Sequence, residues 1–202
     1  MTTVKKSKPL IFLDIETSHL KPGYRGEYYG ELLEVAVIID YNGWTQEKVW
    51  RMAPENKELH HPEAIKVNDY HVRSKAFVNL DNWTNHIQDI HNTLTSLNGL
   101  IVGHNVQFDI HYLNWFIQQT QLEEIPVRAV DTMTLAHEHL SPIGLHGLGF
   151  DRIRSFMGWE LSGHDALNDA RDCRRLYYEL KQASVFKRLW WWCCNVYRLF
   201  IA

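Results

Sequence analysis

An excess of positive charge is missing from this chain. Its 202 residues carry 21 Lys and Arg against 24 Asp and Glu, a formal net charge of −3. Broad, sequence-independent coating of nucleic acid rests on many cations neutralising phosphates, so that class of binder is excluded. A short nucleic-acid footprint, in which metal ions bring the positive charge, is not. Cysteine is scarce as well: there are three, two of them the adjacent Cys193 and Cys194. They build neither a disulfide framework nor a Cys-x-x-Cys zinc pattern, and a reducing cytoplasm is the expected compartment. No apolar run precedes Leu10, so no signal peptide is expected. Internal repeats and low-complexity segments are also lacking.

What is present is ordinary for a globular protein: 45% hydrophobic and 22% charged residues. The length suffices for one domain with a sizeable core. Leu10 to Ile15 is a short apolar run broken by one acid and reads as a buried strand. Leu32 to Ile39 and Thr45 to Met52 read as the next two strands. Helical spacing of apolar residues follows in Asn82 to Leu97 and Phe108 to Gln119, with a short strand at Leu100 to Gly103 between them. Val127 to Val130 is a further strand. Thr132 to His139, Leu145 to Met157 and Asp165 to Gln182 are expected helices. An early run of three strands, then strands alternating with helices, predicts an α/β fold with a mixed sheet flanked by helices.

Asp14 and Glu16 point to the same side of the first strand if its period of two holds. Two carboxylates on one side of an apolar strand repel unless something positive lies between them. All-oxygen donors favour Mg²⁺ or Mn²⁺ over zinc. Alone, Asp-x-Glu is weak, since a strand-end acid facing water and a loop-capping acid would give the same pattern. Asp109, taken alone, reads as a helix-start acid favoured by the helix dipole. Asp169 is harder to dismiss, because it sits on an apolar helix face beside the small Ala170, and a buried charge is costly without a partner. His164, next to Gly163, taken alone reads as a solvated loop residue.

Order and context change that weighing. Phe12-Leu13-Asp14-Ile15-Glu16-Thr17, Val102-Gly103-His104-Asn105 through Phe108-Asp109, and His164-Asp165-Ala166-Leu167-Asn168-Asp169-Ala170 follow one another on strand, strand exit and helix. In these motifs the chain resembles the DEDDh branch of the DnaQ-like 3′→5′ exonuclease family, whose fold is ribonuclease H-like. The resemblance spans about residues 9 to 182 and includes Glu34-Val35-Ala36-Val37 and Val130-Asp131-Thr132. The branch is set by His164, which has four residues between it and Asp169; the sister branch places a tyrosine one position later, where this chain has Asp165.

The resemblance implies roles. Asp14, Glu16, Asp109 and Asp169 would hold two Mg²⁺ or Mn²⁺ ions per site, and His164 would take the proton of the attacking water. The product would be a nucleoside 5′-monophosphate released from the 3′ end of single-stranded DNA or RNA. Thr17, Ser18, Leu20, His104, Asn105 and Phe108 would contact the substrate. Ser18 and His19 depart from the family, which has a second threonine and a glycine there. His19 replaces the residue most permissive of unusual backbone angles, so the substrate-side turn is expected to differ. Tyr24, Arg25, Tyr28 and Tyr29 could stack on bases or contact phosphate, or form a solvated loop.

Other signals are weaker. His137 and His139 are two apart, which points their imidazoles away from each other on a helix. Asp131 is a candidate helix cap close to the site rather than a ligand. Residues 1–183 are expected to form the exonuclease domain and 184–202 an aromatic, partly basic C-terminal helix or tail. Phe186, Leu189, Trp190, Cys193, Val196, Tyr197 and Phe200 share one helical face there, which Trp191, Trp192 and Leu199 widen. Packing on the domain is the first reading of this tail, a protein partner or homodimer contact the second, and a membrane surface the last. A nuclease specialised for very short oligonucleotides or signalling nucleotides is a narrower version of the enzyme reading. The rival from another class is a silent module that binds a nucleic-acid end or a polymerase. The complete set of Asp14, Glu16, Asp109, His164 and Asp169 counts against it.

Overall fold

A computed structural model describes residues 8–22, 30–54, 60–67, 77, 80–160 and 165–201, with side chains omitted at 185 and from 195 onward. Five strands form one sheet: β1 (Leu10–Thr17), β2 (Leu32–Tyr41), β3 (Trp44–Arg51), β4 (Leu100–Gly103) and β5 (Ala129–Asp131). Their order is β3-β2-β1-β4-β5, antiparallel among β1, β2 and β3, and parallel from β1 through β4 to β5. The mixed sheet is the expected one. A two-residue turn joins β2 to β3, and Asn42 (φ 51°) and Gly43 (φ 80°) take the left-handed backbone that such a tight hairpin requires.

Alternation along β1 decides what each face of the sheet does. Ile11, Leu13 and Ile15 enter one core with Ile110, Leu113 and Phe116 of α3 (Val106–Ile117) and Ile90 and Leu94 of α2 (Ile87–Thr95). Phe12 enters a second core on the opposite face, with Ala166, Ala170, Cys173 and Leu176 of α6 (Ala166–Lys181). That second layer also holds α4 (Thr132–Leu140) and α5 (Phe150–Met157). β2 is buried from Leu32 to Ile39 because helices cover both of its faces. The small Ala166 and Ala170 let α6 lie close across β1 and β2. A short α1 (Pro62–Val67) lies near the end of β1, its Ile65 buried with Leu33 of β2.

Two elements differ from expectation. The helix expected from Leu145 begins only at Phe150, because Gly144 (φ 104°) and Gly147 (φ 90°) hold the preceding chain in a conformation no right-handed helix contains. The C-terminal helix α7 (Val185–Ile201) packs through Trp191, at the widened edge of the expected apolar face, which joins the second core. Phe186, Leu189 and Trp190 on that face stay exposed. Lys187 ties the helix down through Glu179 at 2.5 Å. Among the described residues, no helix is long and apolar enough to cross a membrane.

Leu176 is fully buried where α6 meets the sheet. Leu176→Ala is expected to destabilise the fold by about 2–5 kcal/mol. Urea unfolding measures this, and a loss under ~1 kcal/mol would contradict the packing described.

Candidate active site

Period-two geometry gives Asp14 and Glu16 the same side of β1, the side that α6 covers. Asp169, in the first turn of α6, meets them there: one ligand atom from each of the three carboxylates lies within 4.8 Å of the others. Asp14 pairs across the sheet with Ala36, whose small side chain leaves room beside the carboxylate. Asp109 reaches the same strand from the other layer. It lies in the first turn of α3, is 3% exposed, and its Oδ1 accepts the Ile15 backbone N–H at 3.1 Å.

Burial, with crowding, raises the pKa of two of these carboxyls, Asp14 and Asp109. Burial pushes Asp14 well above the usual carboxylate range, and the charges of Asp109, Asp169, Glu16 and Glu34 push it further. Asp109 is likewise raised by burial, against the pull of backbone N–H donors. A cation enters this cluster: Arg154 of α5 makes a close ion pair with Asp169 through its Nη2. The donor set is all carboxylate oxygen and carries excess negative charge, which fits a hard divalent cation. Asp14, Glu16 and Asp169 are the residues placed to hold it.

A cavity of about 270 Å³ opens beside the carboxylates, lined among others by Glu16, Thr17, Leu20, His61, Ala64 and Phe108. Leu20 is 74% exposed at its rim. His61 and Ala64 were not singled out in the sequence, since only the tertiary fold brings α1 against this turn. A larger cleft of about 460 Å³, between Leu94, Asn98, Leu100 and Arg128, lies at the opposite end of β4 and has no carboxylate in its lining.

The turn after β1 is held from within. Ser18 is fully buried, its hydroxyl accepting the Glu31 N–H at 2.8 Å and its own N–H donating to the Glu31 carbonyl at 3.0 Å. The His61 N–H adds a bond to the Ser18 carbonyl. His19 needs no positive φ here. Its Nδ1 accepts the Lys21 N–H at 2.9 Å and its ring meets His61 edge-on at 5.1 Å. Burial, then the neighbouring His61, lowers the His19 pKa.

Several expected substrate contacts are therefore placed differently. Ser18 braces the turn from inside the protein. His104 has both ring nitrogens engaged, Nδ1 with Thr132 Oγ1 at 3.1 Å and Nε2 with the Leu148 carbonyl at 2.6 Å, and its ring stacks on Phe150. Asn105 is exposed, with φ 61°, at the start of α3, and Thr17, Leu20 and Phe108 line the cavity. Asp131 caps α4 through the Met133 N–H at 2.8 Å and also accepts the Asn105 N–H at 3.0 Å. His164 and the tyrosine-rich segment 23–29 lie outside the described residues, while Asp165 caps α6 through the Asn168 N–H. Arg154 was missed, although Phe150, Ile153, Arg154 and Met157 share the spacing of an inward face.

A carboxyl with a raised pKa in the folded protein binds its proton more tightly there than in the unfolded chain. The metal-free fold therefore loses stability as pH rises from the usual carboxylate range through the raised value. Asp14→Asn removes that cost. The variant is expected to melt higher than the parent at neutral pH without metal, and to lose any rise in Tm on adding Mn²⁺. A lower metal-free Tm, or an undiminished Mn²⁺ effect, would contradict the electrostatics described.

No family model matches the chain, and no curated protein does. Solved structures do. The nuclease domain of 3′hExo, a DEDDh family member bound to rAMP, superposes with a TM-score of 0.64 at 12% identity, covering 88% of this chain and 94% of that one. Cell-death related nuclease 4 (CRN-4) gives 0.63 at 11% identity, covering 87% of this chain and 64% of that one. A 3′-exonuclease that recognises the 3′ end of the histone mRNA stem-loop gives 0.63 at 12% identity, over 88% and 65%. The chain thus spans just under two thirds of the length of those last two. At such identities the likeness is one of fold: the chain has the DnaQ-like, ribonuclease H-like fold of DEDDh 3′-exonucleases.

Proposed function

We propose that the protein is a metal-dependent 3′→5′ exonuclease acting on single-stranded nucleic acid and releasing nucleoside 5′-monophosphates. The observation that carries this reading is the meeting of Asp14, Glu16 and Asp169 within 4.8 Å, beside a cavity that Glu16 lines, in a fold shared with 3′-exonucleases. A pair of Mg²⁺ or Mn²⁺ ions would supply charge to offset the phosphate and a lowered pKa for the attacking water. Asp14, Glu16 and Asp169 hold that charge in place. Asp109, anchored to the Ile15 N–H, keeps a fourth carboxylate beside Asp14. Leu20 and Phe108 offer apolar surface to the terminal base, and Thr17 and Asn105 polar groups to the sugar and phosphate. His164, directly before the cap of α6, takes the proton of the water and must be neutral to do so.

The balance of charge favours a short footprint, since few cations are available to follow a long strand. The cavity, about 270 Å³, suits one terminal nucleotide and leaves DNA, RNA and short oligonucleotides all as candidates. Residues 1–183 would form the catalytic domain in the cytoplasm. The exposed Phe186, Leu189 and Trp190 of the C-terminal helix make a protein partner or second copy the natural occupant of that surface.

End-labelled single strands incubated with Mn²⁺ are expected to shorten from the 3′ end, and Asp14→Ala to reduce this to background. A panel of DNA, RNA and dinucleotides reads out the preferred class. Cleavage of none of them by metal-bound protein would sink the proposal. His164→Ala is expected to lower kcat about 100-fold or more, and the rate of the parent enzyme to fall as pH drops through ~6.5. Undiminished turnover of His164→Ala would reject its role as base.

A further inference from the structure

Arg154 is buried completely, on a helix face where an aliphatic residue would pack without cost. Three carboxylates surround its guanidinium. Nε donates to Asp172 Oδ2 at 2.6 Å, Nη1 to Asp151 Oδ1 at 3.2 Å, and Nη2 pairs closely with Asp169 Oδ1. The group also lies over the Phe150 ring, 5.2 Å from its centre. Asp169 and Asp172 are three apart on α6 and so share a face, which lets one planar fork span both. Phe150 is itself fixed by its stack with His104, at 4.0 Å between ring centres.

Stability alone does not account for this arrangement. Burying an ion pair costs both partners their hydration, and an apolar replacement is often as stable or more so. The choice of partner is what distinguishes Arg154. One of its three carboxylates is Asp169, which also belongs to the acidic cluster with Asp14 and Glu16. A guanidinium fixed on one oxygen of a carboxylate sets the plane of the whole group, and with it the direction in which that group can offer an oxygen to a cation.

We propose that Arg154 is a positioning residue for the metal site: its guanidinium, held by Asp172 and Asp151 and seated on Phe150, orients the carboxylate of Asp169 to share a divalent cation with Asp14 and Glu16. This rests on the metal-dependent reading above. Outer groups that orient metal ligands contribute about 10–100-fold to affinity or activity. Charge and orientation act in opposite directions here. If Arg154 only offset negative charge, its removal would tighten cation binding. If it orients Asp169, removal weakens binding.

The test measures Mn²⁺ binding to the whole protein by the loss of the free-ion paramagnetic resonance signal, without turnover. Arg154→Met is expected to raise the Kd for Mn²⁺ about tenfold or more, and at saturating Mn²⁺ to lower kcat while leaving the KM for an oligonucleotide nearly unchanged. Ile153→Ala, one residue away in the core, is expected to lower Tm without moving the Kd, which separates orientation from general loosening of α5. If Arg154→Met does not fold, Arg154→Lys gives the reading. Its single ammonium keeps the charge but cannot span Asp169 and Asp172, so the Kd is again expected to rise. A parental or tighter Kd in a folded Arg154 variant, or an equal rise in Ile153→Ala, overturns the proposal. Failure of the parent protein to bind Mn²⁺ would instead overturn the metal-site reading on which it rests.

Discussion

Carboxylates crowded at the carboxyl end of β1 repel one another, and most of the molecule's organisation either creates or contains that repulsion. Asp14, Glu16 and Asp169 converge, and Asp109 stands behind them on the Ile15 backbone. Burial makes the charges costly and drives the Asp14 and Asp109 pKa values upward. A fold that keeps such a cluster stores a standing demand for positive charge. The demand is specific in kind, because oxygen donors in close array suit a small hard cation better than a side-chain amine.

The scaffold meets this demand with ordinary means. A strand of period two carries two of the acids, and the β sheet fixes their direction. Small residues on α6 allow its first turn to come within reach of that strand. Asp165 caps the same turn through the Asn168 N–H, so the helix start that carries Asp169 is secured before any ligand arrives. Arg154 of α5 reaches across to α6, where its guanidinium pairs with Asp169 of the cluster and with Asp172. The turn after β1 is stitched to Glu31 and His61 by backbone bonds, which gives the adjoining cavity a firm wall.

Much of this was legible in the chain. The alternation of β1 placed Asp14 and Glu16 on one side, and the spacing of apolar residues located α2, α3 and α6 to within a few positions. Asp131 was readable as a helix cap. What escaped was whatever depends on distant segments. His104 follows a strand-ending glycine, and nothing near it in the chain shows that the Leu148 carbonyl and Thr132 hydroxyl, 44 and 28 residues on, engage its nitrogens. Ser18 is similarly taken by Glu31. His19 stood out as a departure from glycine, but its φ is not positive, so the strain that the exchange suggested does not arise. Arg154 sat at an inward position on its own helix, and only the approach of α6 revealed why. The C-terminal helix buries Trp191, at the edge of its broad apolar face, because docking against α5 and the turn Ser141–Ile143 selects the side that is covered.

The account stands on the claim that these carboxylates are a cation site. Anomalous diffraction from crystals grown or soaked with Mn²⁺ tests it most directly, since it locates the ion without reference to activity. A strong anomalous peak enclosed by the carboxylates of Asp14, Glu16 and Asp169 is expected. A crystal that binds Mn²⁺ elsewhere, with no peak among these three side chains, would contradict it.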